Sequence, residues 1–265
     1  MIYNGWTQPI LGKQLNTSHP LSRGLVASYL LNEGGGTKAL NTVTNKISTL
    51  SGGVSGNAIF VKTQRYNATR FNGVNTTGSR LIIDTPWTDF PTTYTCSCWF
   101  RSDNITVASK YLLCWRNPSN TSIWWQINCS SSVVAFTVGT SGSNIFACVS
   151  GALQSNTWYN VTCVRNNLVL SLYLNGLFVS TVSLITNATP TVLQDNVIGC
   201  QSGDYNAVFN GDINNAKTWK RALNSTEIMQ LYLSPNCMYS NKISSPLYSP
   251  SSPIINTSNF FQMFY

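Results

Sequence analysis

Short runs in which apolar and polar residues alternate recur along most of the chain. The first is Gly24–Leu31, GLVASYLL. Residues 37–68 are rich in Gly, Ser and Asn and predict a loop excursion with one short strand at Ala58–Val61. The two-residue period returns at Leu81–Asp84, Tyr94–Arg101, Tyr111–Trp115, Ile123–Asn128, Val133–Val138, Ile145–Val149 and Trp158–Val164. It continues through Val169–Leu174, Leu177–Val182, Val197–Gln201 and Asp212–Trp219. Period two sends successive side chains to opposite faces, so these runs read as half-buried strands. In Tyr94–Arg101 it puts Tyr94, Cys96, Cys98 and Phe100 on one face, with Trp99 on the other, packed on the outer sheet or under a loop. In Asp212–Trp219 it puts Asp212, Asn214, Ala216 and Thr218 on one face and Ile213, Asn215, Lys217 and Trp219 on the other. Asn175-Gly176 accepts positive φ at both central positions of a type I′ turn and joins two runs as a hairpin. Many short strands separated by polar turns predict an antiparallel β-sandwich.

One helix breaks this pattern, late in the chain. Asn224 followed three residues later by Glu227 is a capping box, and Leu223, Ile228, Leu231 and Tyr232 form its apolar stripe. The closing segment FNGDINNAKTWKRALNSTEIMQLY (209–232) resembles that of the LamG-like, concanavalin A-like jelly-roll family, as do three further stretches. These are HPLSRGLVASYLLNEGGG (19–36), Arg70-Phe71-Asn72-Gly73, and the hairpin carrying Trp158, Val161, Leu172, Tyr173, Asn175 and Gly176. The resemblance covers roughly residues 19–233 and implies an all-β, two-layer antiparallel jelly roll with one short C-terminal helix. Openings like residues 19–36 often belong to phage-encoded members.

The chain divides into an N-terminal arm (1–20), a jelly-roll domain (21–233) and an extended, Pro- and Ser-rich C-terminal arm (234–265). At 265 residues a domain buries roughly 70–75% of its unfolded surface, so the core needs neither metal nor disulfide. The eight cysteines sit at strand positions where a small apolar residue serves, and they are expected as free thiols. The start shows no basic-then-apolar leader and no run is long enough to span a membrane, so synthesis in a host cytoplasm without export is expected. The ten Asn-x-Ser/Thr sequons follow from composition. The net charge of +8 suits docking on an acidic surface. Its basic residues are scattered singly, apart from Lys220-Arg221, which argues against nucleic acid.

Catalytic chemistry finds little support. The eight acids form no pair alternating along one strand, as glycoside hydrolysis would need, and Glu227 is engaged as a cap. His19, the only histidine, precedes Pro20 at a chain bend. No catalytic residue is therefore assigned. Related jelly rolls bind Ca²⁺ through loop acids, and Asp84, Asp89, Asp204 and Asp212 are the residues that could meet for it; we carry Asp84, Asp204 and Asp212 as candidate ligands, with no other cofactor expected. The family's acidic pair after Gly-x-Ile is Asn214-Asn215 here. Aromatics and amides for glycan binding are Tyr111, Trp115, Trp124, Trp125 and Asn128, with one of the adjacent tryptophans expected in the core. Phe260, Phe261, Phe264 and Tyr265 would anchor the C-terminal arm on a neighbour. The expected function is a non-enzymatic virion protein, a capsid decoration or appendage on the virion surface. Its partners would be other virion proteins, further copies of itself and host surface glycans. The alternatives are a free lectin-like module and, last, a glycosidase.

Overall fold

The alternating runs pair into two antiparallel sheets in a computed structural model of the chain. It describes residues 8–9, 13–51, 58–63, 67–74, 78–84, 91–107, 110–116, 124–139, 145–186, 196–201 and 207–239. In chain order the strands are β1 (Leu25–Tyr29), β2 (Lys38–Leu40), β3 (Ile47–Ser51), β4 (Ile59–Lys62), β5 (Asn67–Asn72), β6 (Arg80–Ile82), β7 (Thr93–Ser102) and β8 (Lys110–Arg116). They continue as β9 (Trp124–Ser130), β10 (Val133–Gly139), β11 (Ile145–Val149), β12 (Trp158–Asn166), β13 (Val169–Leu174), β14 (Leu177–Ser183), β15 (Asn196–Ile198) and β16 (Asn210–Trp219). Helix α1 (Ser225–Leu233) follows.

The first sheet runs β14-β13-β12-β7-β16-β5-β4, with β1 also paired to β16; the second runs β11-β10-β9-β8-β15-β6-β3-β2. Their inner faces enclose the main core. Tyr94, Cys96, Cys98 and Phe100 of β7 meet Trp115, Trp125, Ile127, Val134 and Phe136 of the second sheet. Tyr94 lies 5.7 Å from Trp125 and 6.3 Å from Phe136, ring centre to ring centre. The cysteines act as small core residues: all eight are free thiols, and seven are buried. Burial pushes the Cys96, Cys98 and Cys163 thiols up, away from the reactive thiolate.

A second cluster covers the outer face of the first sheet. Trp219, Val164 and Leu25 point outward from the strands and meet Leu223, Ile228 and Leu231 on and beside α1. Trp99, on the outward side of β7, stacks on Tyr232 of the helix at 5.5 Å. The helix starts as the sequence predicts, with Asn224 accepting from the Glu227 N–H at 2.9 Å and Glu227 accepting in return from the Asn224 N–H at 3.0 Å. Arg221 clasps the same carboxylate. That guanidinium, reinforced by the cap, holds the Glu227 carboxyl below its usual range. The hairpin turn has positive φ at Asn175 and Gly176.

Three features differ from expectation. Residues 37–68 hold β2, β3 and the start of β5 besides β4; their burial is partial, and the Gly- and Ser-rich sequence dilutes the period. In β16 the alternation reverses. Asn215 has φ 55° and the pairing with β7 slips between Asn214 and Lys217. This bulge turns Ile213 and Ala216 into the core, while Lys217 follows Asn214 onto the outer side. The domain also extends past both boundaries placed at 20 and 234. Leu15 pairs with Tyr239, the Asn16 N–H donates to the Met238 carbonyl, and the Tyr239 hydroxyl bonds Ser28 and Thr42. His19 caps the intervening turn by accepting from the Leu21 N–H at 3.1 Å.

Candidate functional site

α1 and both flanking segments cover the middle of the first sheet's outer face, and the candidate site lies on the outer face of the second. Its residues follow from strand register. Trp125, Ile127 and Cys129 of β9 belong to the core, so Trp124, Gln126 and Asn128 point outward. On β10 the outward set is Ala135, Thr137 and Gly139, directly opposite Asn128, Gln126 and Trp124. On β8 the outward positions opposite Asn128 and Gln126 are Tyr111 and Cys114, and β11 adds the exposed Ile145, Ala147 and Val149.

The five aromatic and amide candidates therefore divide. Tyr111 and Trp124 are half-buried on this face, and Asn128, opposite Tyr111, is largely covered. Trp115 and Trp125 face each other across the β8–β9 pair on the opposite side, at 0% and 2% exposure. Neither can touch a ligand on the surface. The bulge at Leu112 in β8 sets this division on that strand, returning Tyr111 to the outer face.

Gly139, not singled out from the sequence, is what seats Trp124. A Cβ at 139 would lie 2.5 Å from the indole Nε1 and 2.6 Å from Cε2. The indole thus fills the space a side chain on β10 would need. Beside it, Gln126 Nε2 reaches Asn128 Oδ1 at 3.4 Å, a long contact that leaves donor and acceptor capacity on both amides. Asn128 and Thr137 are largely covered, while the half-exposed indole and the Gln126 amide can offer an apolar plate with hydrogen-bonding groups at its edge. That is the arrangement a sugar ring needs, with its C–H face and its rim of hydroxyls. The signal available in the sequence was Gly139 paired in register with Trp124 across the hairpin Ser130–Val133.

The two described calcium candidates, Asp84 and Asp212, do not come together. Asp212 is fully buried, and both oxygens are taken: Arg70 Nε donates to Oδ1 at 2.6 Å and Arg101 Nη2 to Oδ2 at 2.6 Å. Two guanidinium groups satisfy its charge and repel a further cation. Asp84 lies elsewhere, accepting from the Tyr29 hydroxyl, Asn41 and Thr44. Asp204 lies outside the described residues, as does Asp89. Among the described residues no group of three or more His, Cys, Asp or Glu side chains could hold a metal ion. The remaining described acids are also engaged: Asp103 with Arg70, Glu33 with the Leu40 N–H, and Glu227 with Arg221. The arm residues Phe260, Phe261, Phe264 and Tyr265 lie outside the described residues. Among the described residues no helix is long and apolar enough to cross a membrane.

Comparison with known proteins gives a consistent picture. The family model described as the concanavalin A-like lectin/glucanases superfamily matches residues 49–229. No curated protein matches the sequence. Among solved structures, the chain is similar to the binding domain of Paraclostridial Mosquitocidal Protein 1, at 17% identity and TM-score 0.61 over 79% of this chain and 52% of that one. It is similar to domain 4 of AbnA, a GH43 extracellular arabinanase from Geobacillus stearothermophilus solved in complex with arabinotriose, at 14% identity and TM-score 0.59 over 78% of this chain and 98% of that one. It also resembles the binding domain of botulinum neurotoxin DC solved in complex with rat synaptotagmin II, at 14% identity and TM-score 0.62 over 80% and 52%. The chain spans about half the length of these two toxin binding domains. At such identities the likeness is one of fold.

Proposed function

Since the chain belongs to the concanavalin A-like lectin/glucanase superfamily, we propose that it is a non-catalytic, lectin-like module that binds glycans on the outer face of its second sheet. The observation that carries this is Trp124 seated over Gly139 beside Gln126, Asn128, Thr137 and Tyr111. Support of a more general kind comes from similar folds: the AbnA domain solved in complex with arabinotriose, and a botulinum neurotoxin type C whose cell entry depends on interaction with two ganglioside molecules. A hydrolytic role is disfavoured because Asp84, Asp103, Asp212 and Glu227 are already committed to partners within the fold.

The setting proposed for this module is the surface of a phage-like particle, as a capsid decoration or an appendage, with several copies associating there. The phage-type opening at 19–36 and the uncharged aromatic end of the chain support it. Electron microscopy of intact particles tests the setting, and absence of the chain from them would remove it.

Binding is tested with a glycan array, followed by calorimetry on the best ligand. Trp124→Ala is expected to weaken affinity roughly 10- to 100-fold while leaving the melting temperature near that of the wild type. Binding that survives Trp124→Ala unchanged would move the site off this face.

A further inference from the structure

The charges of this chain are unevenly placed. Between Asn117 and Gln194, Arg165 is the only Asp, Glu, Lys or Arg. Its side chain is buried and donates from Nε to the Asn167 carbonyl. Strands β9 to β14 fall within this stretch and make up one side of the sandwich. The first sheet ends there on β14 and the second on β11. The two edges meet, with Ser180 Oγ donating to the Val149 carbonyl at 3.1 Å. All but the Arg165 charge of the net +8 is thus carried by the rest of the molecule.

The same side bears exposed apolar side chains: Ile145 and Val149 on β11, Val169 on β13, Leu177 and Phe178 on β14, and Ile185 just beyond. The far edges differ. There β4 ends on the exposed Lys62 and β2 begins with the exposed Lys38. Edge lysines of this kind resist association, and neither β11 nor β14 has one.

We propose that the β11/β14 side is a self-association surface, on which two copies of this chain pack across a two-fold axis. The charge distribution selects the occupant. Two copies at +8 repel through every surface that carries the charge, and this side lets them approach with the least repulsion while covering apolar area. A partner recruited by electrostatics would meet the basic remainder instead. The contact is side chain on side chain, not strand addition. Val179 is the extra residue of a bulge where Leu172 pairs with Ser180 and Tyr173 with Phe178, which breaks the regular hydrogen-bonding row of β14. A two-fold contact uses the same patch on both copies. The proposal rests on the reading of the chain as oligomeric; Ile145 and Val149 of β11 border the face proposed for glycan, whereas Leu177 and Phe178 of β14 belong to the other sheet.

Sedimentation velocity of the full chain tests it. The wild type is expected to dimerise, and more strongly as added salt screens the net charge. Phe178→Lys and Ile145→Lys place a charge in the patch and are expected to weaken the dimer at least about tenfold, with circular dichroism and melting temperature unchanged. Ile59→Lys and Ile47→Lys, at comparably exposed positions (52% and 63%) outside the patch, are expected to leave it intact. A wild type that stays monomeric, or equal losses from patch and control variants, overturns the proposal. Loss of the dimer on replacing Phe260, Phe261 and Phe264 by Ser also overturns it, by assigning association to the tail. Glycan binding by a monomeric wild type would remove this surface and leave the lectin reading standing.

Discussion

Lys217 is the residue whose position has the sharpest consequence. The bulge at Asn215 places it under cover on the first sheet at 1% exposure, where Nζ donates to Asn215 Oδ1. Burial lowers its ammonium pKa from 10.5 to about 7, against a smaller opposing effect of the Cys237 thiol. The folded value lies below the unfolded one, so between them the unfolded chain binds more protons and stability rises with pH. Measured as the difference between wild type and Lys217→Met in urea melts, so that the thiols largely cancel, stability is expected to climb from about pH 7 toward 10.5, by at most about 1.4 kcal/mol per pH unit. A flat difference would show that the ammonium stays solvated. Asp212 gives a second test at this scale. Asp212→Ala leaves Arg70 and Arg101 without their shared carboxylate and is expected to cost about 2–3 kcal/mol in the same melts, a range reduced because both arginines are partly exposed. Periodicity alone placed Lys217 and Asn214 on opposite faces, because an added residue inside a strand leaves no mark on composition. The division of Trp124 from Trp125 was legible, since adjacent strand residues must diverge.

Among elements, the helix was the most readable. Its cap and stripe are local, and both are found as the residues specify. Asn224→Ala is expected to cost about 1 kcal/mol, visible as a lower melting temperature. Strands β2 and β3 were not readable, since they are short and their exposed residues include Lys38, Ile47 and Thr49, which blur the alternation. The β9–β10 hairpin carries the proposed site, and its register makes Gly139 a sensitive position. In Gly139→Ala the new methyl must displace the Trp124 indole, because the gap is 2.5 Å. The expected outcome is a loss of glycan affinity of roughly tenfold with the sandwich still folded. Calorimetry together with a thermal melt would separate the two.

At the scale of the whole molecule, the sandwich was legible from the spacing of short strands, and the match to the family model over 49–229 agrees with it. The differing roles of its faces were not legible. Which sheet is covered depends on the return of residues 15–24 and 235–239 onto the outer face of the first sheet, a long-range packing outcome with no period in the sequence. That packing covers the middle of the first sheet's outer face, and the function proposed here follows from Trp124 and Gln126, which stay half-exposed on the outer face of the second. The most direct measurement is a nuclear magnetic resonance titration of the labelled chain with its best array-selected oligosaccharide. Amide shifts are expected to concentrate on β8–β11 around Trp124, Gln126, Asn128, Thr137 and Gly139. Shifts concentrated on α1 and the outer face of the first sheet, or none on β9 and β10 at saturation, would contradict it.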